Sequence, residues 1–206
     1  MRALTFLAVT ALAAGCGGDD APPIECTIGD PTQPIELELL THDGGQTIAG
    51  LQTPMTAVPL VFPDQGGEVL LIGARARNLD ACAATMTTSL RDPCTDEVVT
   101  VDVRPVHLDA TADGWAEPRP DARSQWANLA VCPNAAATRD LQGQGYLLRV
   151  VLATDDGRSA EASIPIVPTC AADDITCLCQ CQAGYNLGDE CPADLVPGTP
   201  TACPAT

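Results

Sequence analysis

The sequence predicts an all-β protein, an antiparallel β-sandwich over residues 34–169 carrying a small disulfide-rich C-terminal appendage over 170–206. Three observations predict it. About eight short runs alternate apolar with polar residues between clusters of turn residues, and none shows the periodicity of an amphipathic helix. Aromatic residues make up only 3% of the 206-residue chain, so its core must be aliphatic. Eleven cysteines, six of them after residue 169, replace hydrophobic burial with covalent links in the last segment.

At the start of the chain, Met1-Arg2 supplies one positive charge and Ala3 to Ala14 an uncharged, mostly apolar run. This reads as a secretory signal over residues 1–15, too short to span a bilayer. It closes on Ala13-Ala14-Gly15-Cys16, small residues and then a cysteine. These residues resemble the lipobox of bacterial lipoproteins, with Ala13 where the pattern prefers Leu, Val or Ile and Leu12 one place further back. The resemblance implies cleavage before Cys16, a lipid on its sulfur and a membrane partner reached through that anchor, each buried methylene contributing about 0.8 kcal/mol. Residue 17 is Gly rather than Asp, which in the best-known sorting rule implies the outer membrane of a bacterial envelope. The alternative is a signal cleaved elsewhere, with Cys16 joining a disulfide. Residues 16–33, including Gly17-Gly18-Asp19-Asp20-Ala21-Pro22-Pro23, lack apolar periodicity and read as a lipidated N-terminus and flexible tether. No later run approaches the ~20 apolar residues of a membrane helix.

Ile35-Glu36-Leu37-Glu38-Leu39 alternates apolar and acidic residues, the pattern of a strand with one wet face, and His42-Asp43-Gly44-Gly45 breaks it. Thr56 to Phe62 is extended but contains Pro59, which places it at an edge. Asp64-Gln65-Gly66-Gly67 is turn chemistry. From Glu68 to Asn78, Leu70, Ile72, Ala74 and Ala76 share one face and Arg75 and Arg77 the other. Ala84, Met86, Thr88 and Leu90 continue the alternation, and Arg91-Asp92-Pro93-Cys94-Thr95-Asp96 turns the chain into Val99, Val101 and Val103. After Pro105 the apolar phase moves to Val106 and Leu108, which predicts a bulge or a change of sheet. Residues 109–125 are polar loop, Trp126 to Cys132 a short strand, and Pro133 to Gln144 a second loop. Tyr146, Leu148, Val150 and Leu152 form the outgoing arm of a hairpin, Asp155-Asp156-Gly157 its tight turn, and Ala160, Ala162, Ile164 and Ile166 its return.

Leu141-x-Gly143-x-x-Tyr146, ahead of that hairpin, resembles the tyrosine corner of immunoglobulin-like and fibronectin-type domains, and with the strand count it implies an immunoglobulin-like antiparallel β-sandwich. Tyr146 as an ordinary strand aromatic stays open beside it. Cys16 aside, ten cysteines remain, an even set that reads as five disulfides: Cys26, Cys82, Cys94, Cys132, Cys170, Cys177, Cys179, Cys181, Cys191 and Cys203. Cys82 and Cys94 flank a strand, about 40 Å apart if extended, too far to pair. An immunoglobulin-like topology implies Cys94–Cys132 at one end and Cys26–Cys82 at the other, with the six tail cysteines bonded among themselves. Cys179-Gln180-Cys181-Gln182-Ala183-Gly184-Tyr185 followed by Cys191 is similar to the C-terminal half of an EGF-like module, although Cys177 and Cys203 depart from it. Cysteines alternating at 177, 179 and 181 of an extended chain would seek three different partners.

The net charge is −17, there is no lysine, and the acidic residues are dispersed. That balance repels phosphate backbones and excludes nucleic acid as a partner. No nucleophile motif, C-x-x-C pair or zinc-spaced histidine pair is present, so no catalytic residue and no cofactor is expected. His107 falls on the outward phase of its strand and His42 in a Gly-rich turn, both as surface residues. Asp109-Ala110-Thr111-Ala112-Asp113-Gly114 resembles the first half of a calcium loop, but the twelfth position is Pro120 rather than Glu. Asp109 and Asp113 are therefore weak metal candidates, and a polar loop is the plainer reading. Gln142-Gly143-Gln144-Gly145 lacks the strand–helix context of a phosphate loop. The expectation is a non-enzymatic, envelope-anchored lipoprotein, a structural or interaction module for an envelope protein or glycan. The alternatives are a calcium- or glycan-binding module using loop 109–117 and a hydrolase with a dispersed carboxylate pair.

Overall fold

The computed structural model describes residues 26–45, 48–63, 65–196 and 203; Cys16, the signal and most of the tether lie outside the described residues. In chain order the strands are β1 (Thr27–Ile28), β2 (Glu36–His42), β3 (Ile48–Gly50), β4 (Thr56–Pro59), β5 (Glu68–Arg77), β6 (Leu79–Asp80) and β7 (Ala84–Arg91). There follow β8 (Val98–Val106), β9 (Asp109–Ala110), β10 (Ala116–Glu117), β11 (Ala127–Cys132), β12 (Tyr146–Thr154) and β13 (Ser159–Thr169), and then the short helix α1 (Ile175–Gln180).

Apart from β1 and β6, which pair with each other, the strands make two layers. One sheet runs β3-β2-β5, with β11 and then β10 along the other side of β5; the second runs β4-β13-β12-β7-β8. Neighbours are antiparallel except β4, which lies parallel to β13 at the edge, where Pro59 removes no needed ladder bond. With β2, β5 and β11 on one layer and β13, β12, β7 and β8 on the other, this is a β-sandwich of mostly antiparallel strands. The core is aliphatic, with Leu70, Ile72, Ala74 and Ala76 of β5 buried along with Met86 and Leu90 of β7, Leu148, Val150 and Leu152 of β12, and Ile164 and Ile166 of β13. Each fully buried branched side chain among them contributes about 1.5–3 kcal/mol. The final hairpin forms in register, Tyr146 opposite Ile166 and Leu152 opposite Ala160. Its turn is closed by Gly157 at φ +84° and by Asp156, which accepts from Thr154 Oγ1 and Arg158 N. Those bonds, with Arg158, hold the Asp156 carboxyl down at about 2.

Two expectations need correction. The valines of β8 face the other way: Val101 and Val103 are 56% and 61% exposed, while Asp102 and Arg104 point towards β11. There they pair with each other, and Asp102 Oδ2 accepts the Asn128 amide at 3.2 Å. Apolar and polar residues alternate whichever set faces inward, and the polar set is satisfied only because β11 closes that side. The shift after Pro105 is a change of sheet, since Val106 still pairs with Ala84 of β7 while β9 and β10 join β5 in the other layer. The register irregularity lies instead at Leu90/Arg91.

His42, expected at the surface, ends β2 in a buried position. Gly44 N–H donates to its Nδ1 at 2.9 Å, so Nε2 carries the proton and donates to the Pro120 carbonyl at 3.0 Å. Its ring lies 4.9 Å from that of Trp126. Trp126 is 1% exposed, its indole N–H donates to the Arg119 carbonyl at 2.9 Å, and its ring lies close against Gly73 of β5. Loop 118–126 thus seals the outer face of the first sheet, a second small core built on one tryptophan. A Cβ at residue 73 would meet the Trp126 ring at 2.7 Å and Pro118 Cγ at 2.9 Å. Gly73→Ala should therefore destabilise the fold by about 1–3 kcal/mol, measured by denaturant titration, although alanine is the better strand former.

Candidate functional site

Loop 109–117 carries the weak metal candidates Asp109 and Asp113, and the structure engages both carboxylates with basic side chains. β9 and β10 bracket it, with Glu117 opposite Asp109. Asp113 receives Arg75 Nη2 at 2.6 Å and Thr111 Oγ1, and those two bonds lower its pKa. Asp109 faces Arg119 at 3.5 Å and His107 at 3.7 Å. The two acids are drawn to different partners and do not meet in a shared group of metal-ligating atoms among the described residues. Between them Trp115 lies against both arginines of β5, with the Arg75 and Arg77 guanidinium carbons 4.5 and 4.9 Å from its ring centroid. Glu38 and Glu36 of β2 bind the same two arginines at 3.6 and 2.6 Å. The outward alternation of Arg75 and Arg77 was legible; that it makes a ladder binding the loop to the sheet was not. This is a fastening of the loop to the sheet through the Trp115 ring.

At one end of the sandwich, a cavity of about 510 Å³ opens between the β7–β8 turn and the loop before β12, lined by Asp92, Glu97, Asn134, Thr138 and Tyr146 among others. Asp92, buried, accepts the Cys94 amide at 2.7 Å and faces Arg139 Nη1 at 3.5 Å. The Arg139 guanidinium lies 5.3 Å from the Tyr146 ring centroid and donates to Gln144 Oε1 at 3.3 Å. Tyr146 donates its hydroxyl to the Asp140 carbonyl at 3.0 Å, the backbone bond a tyrosine corner makes. Burial pushes its phenol well above the ordinary range, with Asp92 and Asp140 adding to the rise and Arg139 opposing it. Of the Gln142-Gly143-Gln144-Gly145 run, both glutamines are buried and the Gly143 amide donates to the Pro168 carbonyl at 2.7 Å.

The tail departs most from expectation. Cys26–Cys82 forms as expected, but Cys94 pairs with Cys203 and Cys132 with Cys181, so Cys94–Cys132 and an all-internal tail are both wrong. Only Cys170–Cys177 and Cys179–Cys191 stay within the tail. Cys177, Cys179 and Cys181 do reach three different partners, yet from a helix rather than an extended chain. Asp174 caps that helix, accepting the Cys177 amide at 2.9 Å, and the Leu141 amide donates to the Cys181 carbonyl at 2.8 Å. The sulfurs of Cys170, Cys177 and Cys181 lie within 4.8 Å of one another, so two disulfides abut where the tail meets the sandwich.

Glu68, the first residue of β5, is at that seam and was not singled out in the sequence. It is 2% exposed, opposite Cys132 of β11, with its carboxylate within 4.8 Å of Asp174 and of the Cys177 sulfur. Burial, and then the Asp174 charge, push its pKa up to about 7. The one signal in the sequence was an acid opening the run Val69-Leu70-Leu71-Ile72 with no basic residue near it.

No family model matches this chain, and no curated protein or solved structure is significantly similar to it.

Two outcomes follow from the geometry. Trp115→Ala removes both guanidinium contacts and should cost about 1–2 kcal/mol in thermal or denaturant unfolding, while calcium should leave the melting temperature of the wild type unchanged. Replacing Cys132 and Cys181 together by serine opens a loop spanning 49 residues. Chain entropy sets that loss at about 4 kcal/mol, and non-reducing peptide mapping of the wild type should recover the same two cysteines in one fragment.

Proposed function

We propose that the protein is a non-enzymatic lipoprotein of the bacterial envelope, an immunoglobulin-like module held by lipid on Cys16 and acting as a structural or protein-interaction element, with the outer membrane as its site. The cysteine pairing carries this reading. Five disulfides use all ten cysteines other than Cys16, so the fold claims every thiol except the one in the lipobox-like stretch. Such disulfide density also suits an oxidising compartment outside the cytoplasm.

Other features support an interaction role. Val98, Val101 and Val103 form an exposed apolar stripe along β8, of the kind that marks a contact surface. A net charge of −17 favours an envelope protein or glycan over nucleic acid as partner. His42 is engaged in holding a loop, and Asp109 and Asp113 pair with arginines, which leaves those groups to structure rather than turnover.

Detergent phase partition of cells producing the full chain tests the anchor. The wild type should enter the detergent phase with a mature N-terminus that mass spectrometry identifies as acylated Cys16, and Cys16→Ala should move to the aqueous phase. A wild-type chain that stays aqueous, with an unmodified N-terminus at another residue, would sink the reading.

A further inference from the structure

We propose that Glu68 and Asp174 form a proton-held clasp between the sandwich and the Cys-rich tail, closed while Glu68 carries a proton and loosened when it ionises. The placement carries it. Glu68 is 2% exposed, and no hydrogen bond from a described residue reaches its carboxylate. A buried carboxylate without a donor or counter-ion is strongly disfavoured. The groups facing it are Cys132 of β11, bonded to Cys181, and from the tail Asp174 and the Cys170–Cys177 disulfide. Neither disulfide titrates, and among the described residues Asp174 is the one charge acting on Glu68, with the same sign. A proton on Glu68 removes the clash and supplies a donor facing the Asp174 carboxylate, whose oxygen lies within 4.8 Å.

The consequence is mechanical. Asp174 also accepts the Cys177 amide at the start of α1. When Glu68 ionises, repulsion moves Asp174 off that amide, and the helix end loosens while the disulfides keep the tail attached. Glu68 titrates at about 7 in the folded chain against an ordinary 4.5. Below the ordinary value both folded and unfolded chains hold the proton and the clasp contributes in full. As pH rises from there through about 7 the unfolded chain releases a proton that the folded chain retains, so this contribution is lost and then levels off.

Carbon-13 NMR of the disulfide-intact full chain tests it. The Glu68 carboxyl carbon should titrate with a midpoint near 7, and the Cys177 amide should shift with the same midpoint. In Glu68→Gln that amide shift should vanish while the fold melts at nearly the same temperature at about pH 5 and about pH 8. In Asp174→Asn the Glu68 midpoint should fall, which keeps the test open if Glu68→Gln does not fold. A Glu68 midpoint in the ordinary carboxylate range, or a Cys177 titration that persists in Glu68→Gln, would overturn the proposal. So would calcium raising the wild-type melting temperature at about pH 8 but not that of Glu68→Gln, which would make the pair a cation site.

Discussion

Burial of β5 on both faces is the constraint on which the rest of the molecule depends. Its inner face, Leu70, Ile72, Ala74 and Ala76, meets the second sheet, and along its edges it pairs with β2, β10 and β11. A strand in that position has an outer face that must also be covered, and the chain covers it with two different devices. Gly73 admits the Trp126 ring, and Arg75 and Arg77 carry Trp115. With so few aromatics, the main core is left to aliphatic residues, and both tryptophans fasten loops to the outside of one strand. The first residue of that strand, Glu68, meets the tail.

This explains which parts of the fold were legible in the sequence. Period-2 alternation and turn residues located the strands and the last hairpin, because those signals act within a few residues. They did not reveal which layer or which face. Residues 68–78 read as a strand with one wet face because its outer covers arrive from positions 115 and 126, far along the chain. The phase of β8 was misread for a related reason. Asp102 and Arg104 can turn inward only because they pair with each other and with the β11 backbone, a partnership that no local pattern announces. His42 followed the same rule, a polar ring made tolerable inside by a carbonyl, an amide and an indole from other segments.

The cysteines show the limit most plainly. An even number after Cys16 was enough to expect five bridges, and the six crowded at the end suggested a self-contained tail. Crowding in sequence says little about pairing once a segment is helical. α1 is only one and a half turns or so, yet it directs Cys181 to Cys132 of the sandwich and Cys177 and Cys179 to cysteines of the tail. The tail is therefore docked rather than appended, and Cys94–Cys203 ties its far end to the β7–β8 turn. The carboxylates of loop 109–117 were misjudged on similar grounds, since residue spacing could not show that Arg75 of β5 reaches Asp113 and Arg119 of the following segment reaches Asp109.

Docking by disulfides leaves one joint that electrostatics can still move. Covalent bonds hold Cys132 to Cys181 and Cys170 to Cys177 whatever the pH, but the hydrogen bond from the Cys177 amide to Asp174 depends on where that carboxylate points. An aliphatic partner for Asp174 at position 68 would have been easier to bury than an acid. A glutamate there makes the contact conditional on a proton, and what separates it from the other buried acid among the described residues, Asp92, is that Asp92 has the Cys94 amide and Arg139 as partners. The tail can thus be permanently attached and still change its fit against the sandwich, which a purely apolar seam between two disulfides would not allow.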